Sequence, residues 1–320
     1  MSYEAAVHAQ AIELCRLSME MTAASGSGHP TSAMSISHIV TSLMFSAMRW
    51  SPDYPSYPTS DRLVLSEGHA VPAVYAAMAT LGVVVGKENE RRKLTVDDLS
   101  GLRDWHSVLD GHPNPMEGVD FFDAATGSLG QGLSAAAGVA KAARIDGLDR
   151  RVYCIVGDGE SREGQVFEAL DFIIDHQLSN VCTIINCNAY GQADRVSGQQ
   201  GPEVMTHKLQ AFGFEVIDID GHAPKQIKDA FDRFIEVSND ENAKPIAIIA
   251  RTVKGWAHPQ CKAVGGTASP QRATRSRRRS PSSTSAASSS PVRSRAPMSS
   301  RSSHPLKHPR RMSQMLISRL

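Results

Sequence analysis

The chain has 320 residues, 41% hydrophobic and 21% charged, with a formal net charge of +1, an ordinary profile for a globular protein of one or two domains. No apolar run is long enough to span a bilayer, and Met1-Ser2-Tyr3-Glu4-Ala5-Ala6 lacks the charged-then-apolar order of a secretory signal. The near-zero total hides an asymmetry: from Cys261 onward there are 13 Lys or Arg and no acid, so the preceding residues hold all 33 acids and 21 of the 34 bases. Cys15, Cys154, Cys182, Cys187 and Cys261 are odd in number, form no Cys-x-x-Cys pair and mostly lie in apolar context. They read as buried thiols of a reduced compartment, and cytoplasm is the expected location.

Apolar residues recur at helical spacing from Ala5 to Thr22 (Ala9, Ile12, Leu14, Cys15, Leu17, Met19) and from Ser32 to Met48 (Met34, Ile36, Ile39, Val40, Leu43, Met44). Between them, Ser25-Gly26-Ser27-Gly28-His29-Pro30-Thr31-Ser32 predicts a flexible loop whose proline opens the second helix. Asp61 to His69 predicts a short strand, a turn and then a helix. Gly127-Ser128-Leu129-Gly130-Gln131-Gly132 precedes an Ala-rich helix through Ala143, and its backbone can approach a ligand closely.

Arg151 to Val156 reads as a buried strand ending at Gly157, and Val181 to Ile185 as the next. The stretch Glu163 to Ile174 between them places Val166, Leu170, Ile173 and Ile174 on one helix face, as a crossover packed on a sheet requires. Phe214 to Ile219 and Pro245 to Ala250 are further strands, with a helical segment from Pro224 to Val237. Strand and helix in alternation predict an α/β fold, a doubly wound parallel sheet with helices on both faces. No internal repeat occurs at solenoid periods.

The strand ends carry the chemistry. Asp158 follows the first of these strands in Val156-Gly157-Asp158-Gly159-Glu160, and Asn188 lies 30 positions further on, after the second. Parallel neighbours joined by a crossover helix bring both carboxyl ends to one sheet edge, so the two side chains converge. A carboxylate and an amide oxygen suit a hard divalent cation, the usual bridge to a diphosphate. A turn with an acidic cap is the plainer reading of Gly-Asp-Gly, and the strand, helix, strand and terminal Asn in register favour the ligand reading.

Four histidines follow glycine: His29, His69, His112 and His222. Imidazoles on such turns suit proton transfer near neutral pH. His222 reads as an ordinary turn residue, and His106, His176 and His207 as surface or helix residues. No His-x3-His or His-Glu-x-x-His spacing occurs, which speaks against zinc.

Taken together, the loop around His29, Leu65-Ser66-Glu67-Gly68-His69-Ala70, Asp110-Gly111-His112-Pro113, Ala125-Thr126-Gly127-Ser128-Leu129-Gly130-Gln131-Gly132 and the span from Gly157 to Asn188 resemble transketolase, in order, from about residue 5 to Gly255. The resemblance implies the thiamine-diphosphate-binding fold over residues 1–260. It implies Asp158, Asn188 and the backbone carbonyl of Tyr190 as ligands of Mg²⁺ or Ca²⁺. It implies His69, Gly127, Gly159, Asn188 and Gln192 as cofactor contacts, with Lys254 matching a lysine near the cofactor in animal-type members. His29 and His112 would face the substrate and steer protons, and Ser32 would lie near the sugar phosphate. Glu163 and Glu168 match acids that face the other subunit of a homodimer. The implied reaction is transfer of a two-carbon ketol unit from a ketose phosphate to an aldose phosphate, as in the pentose phosphate pathway.

After Trp256 the likeness stops. His258 lacks its expected neighbours, and the family's second, pyrimidine-binding domain with its glutamate does not follow. Residues 261–320 are a Ser/Arg/Pro-rich basic tail with too little apolar surface to order itself, so disorder is expected there. Such a compositional switch is what translation in a shifted frame produces; a diphosphate-binding chain of a split enzyme is the other account, and the tail favours the first. The expectation is a chain that binds the cofactor weakly and turns over no sugar phosphate by itself. The Arg clusters could serve a nucleic-acid arm on a non-catalytic protein, though a solvated tail is the simpler reading. Dihydroxyacetone synthase or another thiamine-dependent relative is a further enzyme alternative. The terminal Ser318-Arg319-Leu320 resembles a peroxisomal address.

Overall fold

The computed structural model describes residues 1–257 apart from position 193; the expectations for the tail, His258 and Cys261 fall outside those residues. Five strands form one parallel sheet: β1 (Arg62–Leu65), β4 (Val152–Gly157), β5 (Val181–Cys187), β6 (Glu215–Asp220) and β7 (Ile246–Arg251), in the order β1-β4-β5-β7-β6. A small antiparallel pair, β2 (Val84–Val85) and β3 (Arg92–Lys93), stands apart. The helices are α1 (Tyr3–Ser25), α2 (Pro30–Ser35), α3 (Ser37–Ser42), α4 (Val71–Leu81), α5 (Gln131–Ile145), α6 (Gly164–Asp175), α7 (Pro202–Phe212) and α8 (Pro224–Val237).

Alternation along the central strands sorts the core into two layers, because successive side chains leave opposite faces. Leu63, Leu65, Tyr153, Ile155, Cys182, Ile184, Ile246 and Ile248 pack with α1 to α4 and α8. Val64, Val152, Cys154, Val156, Val181, Ile185, Ala247 and Ile249 pack with α5, α6 and α7. The crossovers through α6 and α7 move the chain one way across the sheet. The α8 crossover brings it back to insert β7 between β5 and β6, and a right-handed return must use the opposite face. That requirement explains why α7 and α8 lie on different sides. β6 is one of the two edge strands and carries Glu215, Asp218 and Asp220 on its partly exposed surface, which discourages pairing with another chain.

Two expectations for the helices are corrected. The α1 stripe is Val7, Ala11, Leu14, Cys15, Ser18 and Met21, while Ile12 is 46% exposed and Ala9 is also exposed; small residues fit where the helix lies close to its neighbours. The single helix expected from Ser32 to Met48 is broken at Ile36 and ends in a five-residue π-helical turn, Leu43–Ala47. Hydroxyls explain this. Ser35 Oγ donates to Ser32 O, Ser37 Oγ to Met34 O and Thr41 Oγ1 to Ser37 O, offering carbonyls a partner that competes with the helical ladder. Among the described residues no helix is long and apolar enough to cross a membrane. Cys15, Cys154, Cys182 and Cys187 are free and buried, as expected.

Candidate functional site

The carboxyl ends of β1, β4, β5 and β7 open onto a cavity of about 540 Å³. Gly157 pairs with Asn186, so the two residues that leave β4 and β5 next, Asp158 and then Asn188, emerge side by side. Every site position singled out by sequence lines this cavity: His29, Ser32, His69, His112, Gly127, Asp158, Gly159, Asn188, Tyr190, Gln192 and Lys254. His29 sits at the N-cap of α2 and Lys254 three residues beyond β7. His222, His106, His176 and His207 do not line it, and the last three are exposed.

Among the described residues, Asp158 accepts hydrogen bonds from backbone N–H groups and forms no ion pair: Gly159 N–H donates to Oδ1 (2.7 Å) and Ala189 N–H to Oδ2 (2.6 Å). Burial pushes its carboxyl up to about 6, opposed by those N–H donors and by the nearby Lys254 charge. Asn188 Oδ1 accepts from Tyr190 N–H (3.0 Å). Ala189 between them has a left-handed φ of 67°, uncommon for a residue with a Cβ, and this folds the chain back toward Asp158. Among the described residues no three His, Cys, Asp or Glu side chains converge as a metal site. A cation here would therefore rely on amide and carbonyl oxygens beside one carboxylate, a donor set that fits Mg²⁺ or Ca²⁺.

Two buried carboxylates complete the floor, and both were missed as site residues. Glu67 Oε1 accepts from Asn186 Nδ2 (2.8 Å), which also donates to Ser35 Oγ (3.0 Å), while Thr252 Oγ1 donates to Asn186 Oδ1 (2.5 Å). Burial and the neighbouring Glu160 hold the Glu67 carboxyl well above the usual range. Glu160 accepts from Ser66 Oγ (2.5 Å), Gly130 N–H (2.7 Å) and Gly157 N–H (3.0 Å), joining three segments, and burial raises its carboxyl. A carboxylate at a strand end was the available signal for each. Arg162 and Arg195 also line the cavity, the latter over the Tyr190 ring at 5.1 Å.

The three cavity histidines are electrostatically alike. Burial lowers His29, assisted by the charges of Lys254, Arg103 and His112; it takes His69 down to about 3, and it lowers His112 with help from Arg103. All three are neutral imidazoles near pH 7, and the His29 and His69 rings meet edge to face at 5.2 Å. Burial likewise lowers Lys254, whose Nζ donates to Gly191 O (2.5 Å). Gly127, at φ 140°, lies where a Cβ would come within 3.0 Å of the His112 ring. Gly132 has a different role from the one expected: a Cβ there would fall 2.5 Å from Ser66 Cα, so its close approach is to β1's end rather than to a ligand.

Comparison with known proteins gives this geometry a lineage. The family described as transketolase, thiamine diphosphate binding domain, matches residues 7–273. Human transketolase is 41% identical over 239 residues, 74% of this chain and 35% of the human one. The 6-deoxy-6-sulfo-D-fructose transketolase subunit SqwG of Clostridium sp. (strain MSTE9) is 36% identical over 77% of this chain and 84% of its own length. The crystal structure of Campylobacter jejuni transketolase superposes with a TM-score of 0.67 and 31% identity, over 77% of this chain and 37% of that one. The chain thus spans about a third of the length of the animal relatives it matches. It belongs to the transketolase family, as that family's thiamine diphosphate-binding N-terminal domain.

Proposed function

We propose that this chain is the cofactor-binding part of an enzyme that transfers a two-carbon ketol unit between sugar phosphates, the reaction class of the pentose phosphate pathway. The observation that carries the reading is the single cavity shared by all eleven predicted positions. Asp158, Asn188 and the Tyr190 carbonyl would hold Mg²⁺ or Ca²⁺ against the diphosphate of thiamine diphosphate. His69, Gly127, Gly159, Gln192 and Lys254 would contact the rest of the cofactor, which when bound supplies the electron sink for carbon–carbon cleavage. His29 and His112, as neutral imidazoles, take up and return protons at substrate hydroxyls, and Ser32 helps seat the sugar phosphate.

The family's pyrimidine-binding domain would complete this site. Exposed Glu163 and Glu168 fit the homodimer expectation. A two-chain enzyme is the second reading, favoured by the extent to which this chain covers a relative whose name includes the word subunit. Calorimetric titration with thiamine diphosphate and Mg²⁺ tests the core of the proposal. Saturable binding that disappears in Asp158→Ala or with a chelator is expected; no binding by the unaltered chain, or undiminished binding by the variant, overturns it.

A further inference from the structure

Away from the cavity lies a second histidine cluster. His38 on α3 is fully buried. Its Nε2 lies 3.1 Å from His8 Nδ1 on α1, and its Nδ1 lies 3.2 Å from His222 Nδ1 in the turn between β6 and α8. Trp256 covers the set, stacked on the His222 ring at 5.0 Å and edge-on to His38 at 4.4 Å. His38 presents opposite ring nitrogens to its two neighbours, so the rings form a chain rather than the convergent triad a metal needs.

One backbone bond sets the protons along this chain. Val253 N–H donates to His222 Nε2 (2.9 Å), so in a neutral ring the His222 proton sits on Nδ1. His222 Nδ1–H then donates to His38 Nδ1, His38 carries its proton on Nε2, and that N–H donates to His8 Nδ1. Each facing pair holds one proton, and an added proton would set two N–H groups head to head. Burial, with His222 and His8 as the groups that bear on its charge, takes His38 down to about 3; among the described residues none of these is a carboxylate.

The chain of rings terminates on the amide next to Lys254. Val253 is held by His222, Gly255 N–H donates to Thr31 O (2.9 Å), and Trp256 N–H closes the turn on Val253 O (3.0 Å). Lys254, fixed between them, reaches the cavity wall at Gly191 O.

We propose that His38 is a positioning residue for Lys254: the ring chain His222–His38–His8 beneath Trp256 fixes the 253–256 turn. The ligand arm of the test rests on the cofactor reading above; the other arms do not. Nitrogen-15 NMR of the full chain between about pH 5 and 8 is expected to show His222 protonated on Nδ1 and His38 neutral, protonated on Nε2. His38→Phe keeps a ring against Trp256 but removes the relay; it is expected to cut exchange protection of the Val253 amide by about tenfold, the loss of one hydrogen bond, with the circular-dichroism spectrum unchanged. The same substitution is expected to weaken thiamine diphosphate binding several-fold, and to have no further effect in a Lys254→Met background. A His38 proton on Nδ1, unchanged Val253 protection, or additive losses in the double variant overturns the inference. Tautomers and exchange as expected, without any ligand binding, would instead sink the cofactor reading and leave the relay standing.

Discussion

Asp158 and Asn188 were legible because each ends a strongly apolar strand, and the strand ends of a parallel sheet share one edge. Glu67, Glu160 and His38 were not, since their partners lie far away in sequence: Ser66 to Glu160 spans 94 positions and Glu67 to Asn186 spans 119. Glu67 gives a residue-scale prediction. Its folded carboxyl is raised above the ordinary 4.5, so its contribution to stability is fully present below that value and is lost as pH rises through the raised one. Glu67→Gln is therefore expected to match the unaltered chain near pH 5 and to exceed it in urea resistance toward about pH 8. His38 runs the opposite way: its folded value is depressed to about 3, so its stability is present above the unfolded 6.5 and declines as pH falls below it. His38→Phe should flatten that acid limb by one proton, about 1.4 kcal/mol per pH unit, in denaturation curves collected at several pH values.

The elements with long periodic patterns, such as α6 and α8, follow the residue pattern closely; α7 and the β2–β3 pair do not. α7 buries only Met205 and Leu209, and two-residue strands carry no period. The break in the α2–α3 segment is set by serines that also serve the site, since Ser35 accepts from Asn186; tertiary demand overrode helical spacing there. At this scale the meeting of α5 with β1 is the sensitive joint. Gly132→Ala would drive a Cβ into Ser66 Cα and is expected to cost about 1–3 kcal/mol by overpacking. Because Ser66 neighbours Glu67 and donates to Glu160, the variant should lose ligand affinity as well as thermal stability, in contrast to an alanine placed at the open Gly138 of the same helix.

Across the whole molecule, the α/β class and parallel sheet could be read from alternation, whereas the insertion of β7 between β5 and β6 could not, because nothing local records how far a crossover travels. The two sheet edges divide labour. At the amino end, buried Asp61 pairs with Arg151 at 2.7 Å and Arg49 at 3.0 Å, tying β1 to β4. Asp61→Ala leaves buried Arg151 without its carboxylate, while Arg49 keeps Asp149 at 2.7 Å, and is expected to cost about 3–5 kcal/mol, visible as a lower urea midpoint, with ligand affinity of the folded fraction unchanged. At the carboxyl end, thiamine diphosphate with Mg²⁺ at about a hundred times its dissociation constant should add about 2.7 kcal/mol, raising the thermal midpoint only when the cation is present.

Asn186 touches Ser35, Glu67 and Thr252, and so binds the start of the chain, the first strand's exit and the last strand's exit into one unit. Both of its amide hydrogens are committed, to Ser35 and Glu67, and its oxygen accepts from Thr252. Among descendants of this fold, the four identities should be inherited as a set, drifting together or not at all.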